Sequence, residues 1–139
     1  MSSQRVKALY FDVFGTVVDW YSSVTREGQK LSERLSHPVP WGEFVTKWRM
    51  DGYLKALGEI SSGIANIIPT ETIHMNKLIA LLDEYGVTGL SSSEVNHFNR
   101  VWNRLDALGD ARGGLLLLKK DFIILPFSNG DMRCLLDIS

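Results

Sequence analysis

Apolar and polar positions follow two rhythms along this chain. Near the start, the short apolar run Ala8-Leu9-Tyr10-Phe11 stops at Asp12, and Gly15 and Thr16 follow closely. A run this short, closed by a turn signal, predicts a buried parallel strand. The spacing then becomes helical. Leu31 and Leu35 mark a helix over 25–35, which Pro38 and Pro40 end. Trp41, Phe44, Val45, Trp48, Leu54 and Leu57 share a face of a second helix over 41–60, weakened by Gly52. Thr70 reads as an N-cap, ahead of a buried face formed by Met75, Leu78, Ile79, Leu82 and Tyr85, with a stop at Gly86. Ser91 and Glu94 have capping-box spacing before Val95, Phe98, Val101, Trp102 and Leu105. A second strand is predicted over 122–127, with Pro126 near its end because proline lacks a ladder donor. Residues 115–119 and 132–138 read as short helices flanking it.

Two parallel strands separated by this many helices exceed a simple βαβ crossover, and a helical insertion accounts for the length better. The expected class is α/β. A partial Rossmann-like parallel sheet would come from residues 1–19 and 109–139, with a helical cap from 20–108. Such an insertion would cover the carboxyl ends of the strands, where open α/β sheets place their ligands.

Composition works mainly by exclusion. A length of 139 residues is one domain's worth or part of a larger one, and 45% hydrophobic with 22% charged residues is globular. Fifteen basic and 16 acidic residues give a net charge of −1, with no electrostatic case for nucleic acid or an anionic membrane. The polar start and Asp12 argue against a secretory signal, and no apolar run approaches a membrane span. Cys134 is alone, which excludes an internal disulfide and fits a reducing, cytoplasmic setting.

The chemistry centres on Asp12, a carboxylate at a strand's carboxyl end and therefore a candidate nucleophile. Gly15 allows a tight turn there, and Thr16 offers a hydroxyl. Asp19 reads as a turn or cap residue. His37, His74 and His97 lack metal-ligand spacing and read as surface or packing residues.

Asp12-Val13-Phe14-Gly15-Thr16, followed by Val17-Val18-Asp19, resembles the first motif of the haloacid dehalogenase (HAD) superfamily. Phe127-Ser128-Asn129-Gly130 resembles its second motif, the helical stretch its cap, and Trp48-Arg49 the cap's Trp-Arg pair. The pattern is most similar to the type II enzymes that act on (S)-2-haloacids. That resemblance implies attack of Asp12 on C2 of a 2-haloalkanoate and hydrolysis of the resulting aspartyl ester. It implies that Arg49 cradles the halide and that Thr16, Ser128 and Asn129 orient Asp12 and the substrate carboxylate, with Val13 and Phe14 lining the site. It implies no metal and no other cofactor, and a small-molecule 2-haloacid as substrate; the oligomeric state stays open, since exposed cap helices can pair as a homodimer but no seam is fixed.

Phosphatases of the superfamily carry a proton-donating Asp where this chain has Phe14. A phosphatase-like hydrolase with unusual acid placement is one alternative, and Phe14 argues against it. The family pattern also continues past residue 139, to a lysine in a third motif and acids in a fourth. On that pattern the 139 residues read as the amino-terminal half to two-thirds of an enzyme, inactive by themselves. A second alternative is a catalytically dead remnant that serves as an interaction module.

Overall fold

The computed structural model of the chain describes residues 6–130 and 132–137. Its strands are β1 (Ala8–Phe11), β2 (Val18–Asp19), β3 (Asp106–Ala107) and β4 (Ile123–Pro126). β1 and β4 pair in parallel, Ala8 opposite Ile123 and Phe11 opposite Pro126. Pro126 thus closes its strand, where its missing N–H costs no internal ladder bond. β2 and β3 pair antiparallel, Asp19 opposite Asp106, so the chain leaves the strands and returns to them side by side. A bond from Leu108 N–H to the Val17 carbonyl at 2.8 Å extends that junction.

Between β2 and β3 the chain is helical. α1 (Trp20–Leu35) and α2 (Trp41–Lys47) come first, and α2 continues as a π-helical segment (Trp48–Leu54) into α3 (Lys55–Ser61). α4 (Thr70–Glu84) and α5 (Ser92–Asn99) follow, the latter ending in a 3-10 turn (Arg100–Asn103). α6 (Ala111–Leu118) precedes β4, and α7 (Met132–Asp137) follows it. The helix expected over 25–35 starts earlier because the Asp19 carboxylate caps it, accepting from Ser22 N–H at 3.0 Å. The Ser91 and Glu94 capping box is formed in full.

The core lies in the helical part. Trp48, Phe44, Leu78, Leu81, Val24, Val45 and Val101 are fully buried. Trp48 packs at 5.4 Å from Phe98 and 5.3 Å from Trp102, and its indole N–H donates to the His74 carbonyl at 2.9 Å. A Cβ on Gly28 would overlap the Trp41 indole, so glycine there sets how closely α1 and α2 approach.

Three expectations need correction, and one strand pair adds to them. The two strands are not buried: Tyr10 is 67% and Ile123 61% exposed, because a two-stranded sheet leaves much of each face open. Thr70 is the first helical residue of α4, and Pro69 takes the cap position with no side-chain cap bond. On α4, Ile79 points outward while Ile73, His74 and Leu81 turn inward, so the buried face is rotated from the expected one. β2 and β3 were not expected at all. Each is two residues long, too short to carry a period.

Candidate active site

The loop after β1 folds around one acceptor. The Val13 carbonyl takes bonds from the N–H groups of Thr16 (3.3 Å), Val17 (2.9 Å) and Val18 (3.0 Å). Gly15, at φ +91°, makes this turn possible, in a region that side-chain-bearing residues rarely occupy. Folding the loop this way returns Thr16 toward the strand end, where its Oγ1 donates to Asp12 Oδ2 at 2.8 Å. Asp12 is exposed, whereas the Val13 side chain is packed in the core, which leaves only its main chain available to a ligand.

The second loop starts beside the first. Phe127 N–H donates to the Phe11 carbonyl at 2.7 Å, so Ser128 and Asn129 leave β4 next to Asp12 leaving β1. Ser128 Oγ accepts from Gly130 N–H at 3.0 Å. The Asn129 carbonyl accepts from the Tyr53 hydroxyl at 2.6 Å, tying this loop to the π-helical segment. Gly130 lies against Phe14; a Cβ there would stand 2.8 Å from the ring.

Arg49, on the same π-helical segment, faces these loops. Its guanidinium carbon is 5.0 Å from the Phe14 ring centroid, 5.2 Å from Trp20, 5.7 Å from Tyr53 and 5.9 Å from Trp102. Each ring face presents negative quadrupole to the cation. Burial pulls the guanidinium below its ordinary range, opposed in turn by Tyr53, the Asp12 carboxylate and Cys134. An arginine nonetheless stays charged in a protein. Among the described residues no carboxylate lies within ion-pair distance of Arg49.

Behind Arg49 is a cavity of about 40 Å³ whose wall includes Phe14, Arg49, Tyr53, His74, Trp102 and Gly130. Asp12, Thr16, Ser128 and Asn129 stand outside that wall. The structure therefore brings Asp12 and Thr16 into contact and sets Arg49 over Phe14, with Ser128 and Asn129 on the neighbouring loop. Among the described residues, no group of three His, Cys, Asp or Glu side chains is arranged to hold a metal ion.

Sequence reasoning missed Tyr53, His74 and Trp102 as neighbours of Arg49. Tyr53, at four residues from Arg49, was the detectable one, since that spacing shares a helix face. His74 is buried, and burial, then the charge of Arg49, push its imidazole down to about 3. The other two histidines bond elsewhere, His37 across the chain to the Tyr85 carbonyl and His97 to Arg104.

No protein-family model matches the chain, and no curated protein sequence matches it. Solved structures do. The chain is 32% identical to the defluorinating L-2-haloacid dehalogenase Rha0230, with a TM-score of 0.87 over 96% of this chain and 55% of that one. It is 31% identical to the L-2-haloacid dehalogenase PA0810, with a TM-score of 0.84 over 96% of this chain and 56% of that one. The L-2-haloacid dehalogenase from Xanthobacter autotrophicus, solved with chloropropionic acid covalently bound, shares the fold at 20% identity and a TM-score of 0.75. That match covers 96% of this chain and 50% of that one. The chain thus spans about half the length of these solved structures. No helix among the described residues is long and apolar enough to cross a membrane.

Proposed function

We propose, for a chain that has the haloacid dehalogenase-like fold, that Asp12 is the nucleophile in hydrolytic removal of halide from 2-haloalkanoic acids. The observation that carries this reading is the pairing of two charges. A strand-end carboxylate is held by Thr16 at 2.8 Å, and a half-buried cation over Phe14 has no ion-pair partner among the described residues. One can attack carbon, and the other can receive the anion that leaves.

In the first step an Asp12 oxygen forms a bond to C2 as the carbon–halogen bond breaks, and the bonding pair departs with the halide. Positive charge from Arg49 stabilises the negative charge growing there. In the second step water adds to the ester carbonyl, the 2-hydroxyalkanoate leaves, Asp12 returns as carboxylate, and one proton goes to solvent. The Thr16 bond fixes one Asp12 oxygen, and Ser128 and Asn129 hold the substrate carboxylate for in-line attack. Phe14 supports halide over alkoxide as leaving group. A phenyl ring cannot donate a proton, and halide, a weak base, needs none.

Residues 20–108 act in this reading as the cap over a core built from 1–19 and 109–139, of which 1–5, 131, 138 and 139 lie outside the described residues. The side-by-side exit and return at β2 and β3 supports that division. The lysine that the family pattern sets near its nucleophile has no counterpart in these 139 residues, and binding is therefore expected to separate from turnover. The test is halide release from (S)-2-chloropropionate, read by ion chromatography. The 139 residues alone are expected to release none. A version extended through a third-motif lysine is expected to turn over, and Asp12→Asn is expected to abolish it. Turnover that survives Asp12→Asn, or release of phosphate from monoesters instead of halide, would overturn the proposal.

A further inference from the structure

Three rings near Arg49 form a stack. Tyr53 and His74 lie 4.7 Å apart at 13°, and His74 and Trp102 lie 4.7 Å apart at 22°. The two outer rings both reach the Arg49 guanidinium, Tyr53 at 5.7 Å and Trp102 at 5.9 Å. His74 is thus the layer between two of the four surfaces that hold the cation. Those surfaces matter, because Arg49 has no ion pair among the described residues and its direction is set by ring faces.

The stack is anchored at both ends. The Tyr53 hydroxyl donates to the Asn129 carbonyl at 2.6 Å, and Trp102 stacks on Trp20 at 6.2 Å. Its middle is held by the main chain, where the His74 carbonyl accepts from Trp48 at 2.9 Å. His74 is 6% exposed, and its Nδ1 is buried without a hydrogen-bond partner among the described residues. An aliphatic residue would avoid that desolvation penalty but would put no flat ring between Tyr53 and Trp102.

We propose that His74 is a positioning residue, which spaces the Tyr53 and Trp102 rings so that Arg49 is held toward Phe14 and the Asp12 loop. The functional meaning of this role rests on the reading of Arg49 as the cation that receives halide. The ring must be uncharged to serve, since a second cation beside Arg49 would repel it. Burial and Arg49 itself keep it neutral.

The test is the side-chain Nε–Hε NMR resonance of Arg49 in the 139-residue chain, assigned by its loss in Arg49→Lys. Four ring faces should displace it upfield from an unstructured arginine. His74→Phe keeps a flat ring and is expected to retain the displacement. His74→Leu keeps volume without a ring and is expected to lose most of it, and His74→Met carries the same test where the leucine variant does not fold. Titration with (S)-2-chloropropionate forms a separate arm, with roughly tenfold weaker binding expected in the ringless variant. An unmoved Arg49 resonance in His74→Leu or His74→Met overturns the positioning role, whether or not haloacid binds. An intact displacement pattern without any haloacid binding leaves the role standing and overturns the proposed function of Arg49.

Discussion

His74 makes the stability of this chain depend on acid. In the unfolded chain an imidazole titrates near about 6.5, whereas in the fold it stays neutral down to about 3. Between those limits the unfolded state binds a proton that the folded state refuses, so stability rises with pH and is lost as pH falls. The expected loss is on the order of 1 kcal/mol for each pH unit below about 6.5. Asp19 and Glu94 also lose stability on acidification. Their carboxyls are held below the usual range by bonds from Ser22 and Ser91, so their contribution disappears only at lower pH. Urea unfolding at pH 7, 6 and 5 should therefore slope for the natural chain and flatten for His74→Phe. An unchanged slope in the variant would assign the dependence to other groups.

At the scale of elements, the π-helical segment decides where the cation sits. It carries Trp48 into the core and presents Arg49 and Tyr53 to the loops. Gly52 lies in its middle, against Lys77 of α4. Replacing it with alanine sets two effects against each other. Helix propensity favours alanine by about 1 kcal/mol. The added Cβ, however, would stand 2.8 Å from Lys77 Cβ, an atom fixed to the α4 backbone that cannot rotate away. Overpacking of this kind costs about 1–3 kcal/mol, so Gly52→Ala is expected to lower the melting temperature despite the better propensity. A raised melting temperature would show that the segment and α4 separate easily.

The same element marks the boundary of what the sequence reveals. The bounds of β1, the Asp19 cap, the Ser91 box and the end of β4 at Pro126 follow from local chemistry, and local chemistry is legible in a single chain. Arg49 is legible only through the resemblance of Trp48-Arg49 to a motif. The ring cage was hidden because it joins residues from the loop after β1, α1, the π-helical segment, α4 and the 3-10 turn, and no local spacing encodes such a meeting. His74 was hidden for a related reason. Rotation of the α4 face, with Ile79 out and His74 in, depends on which partners press against it. Pairing of β2 with β3 depends likewise on where the helices return the chain.

For the whole molecule, the uneven distribution of burial predicts uneven stability. The fully buried side chains belong to α1, α2, the π-helical segment, α4 and the 3-10 turn. The strands that position Asp12 form a two-stranded parallel sheet, with Tyr10, Ile123 and Phe127 mostly exposed. An apolar recess of about 290 Å³, lined by Val13, Val17, Leu115, Ile124 and Leu135, lies beside them. A pair of strands with open faces is marginal in water, and parallel sheets are stable when both faces are covered. Local opening of β1 and β4 should therefore require less free energy than opening of the helices. Native-state hydrogen exchange checks this directly. Amides of α4 and the π-helical segment are expected to exchange only through global unfolding, and those of Leu9, Tyr10, Ile124 and Leu125 through a lower-energy opening. Equal protection in both sets would mean that the strand pair is coupled to the helical core as tightly as the core is to itself. With the expected inequality, Asp12 and the neighbouring Phe14 are intermittently released while Trp20, Tyr53 and Trp102 stay around Arg49, and under the proposed function covering the strands should raise the affinity for haloacid.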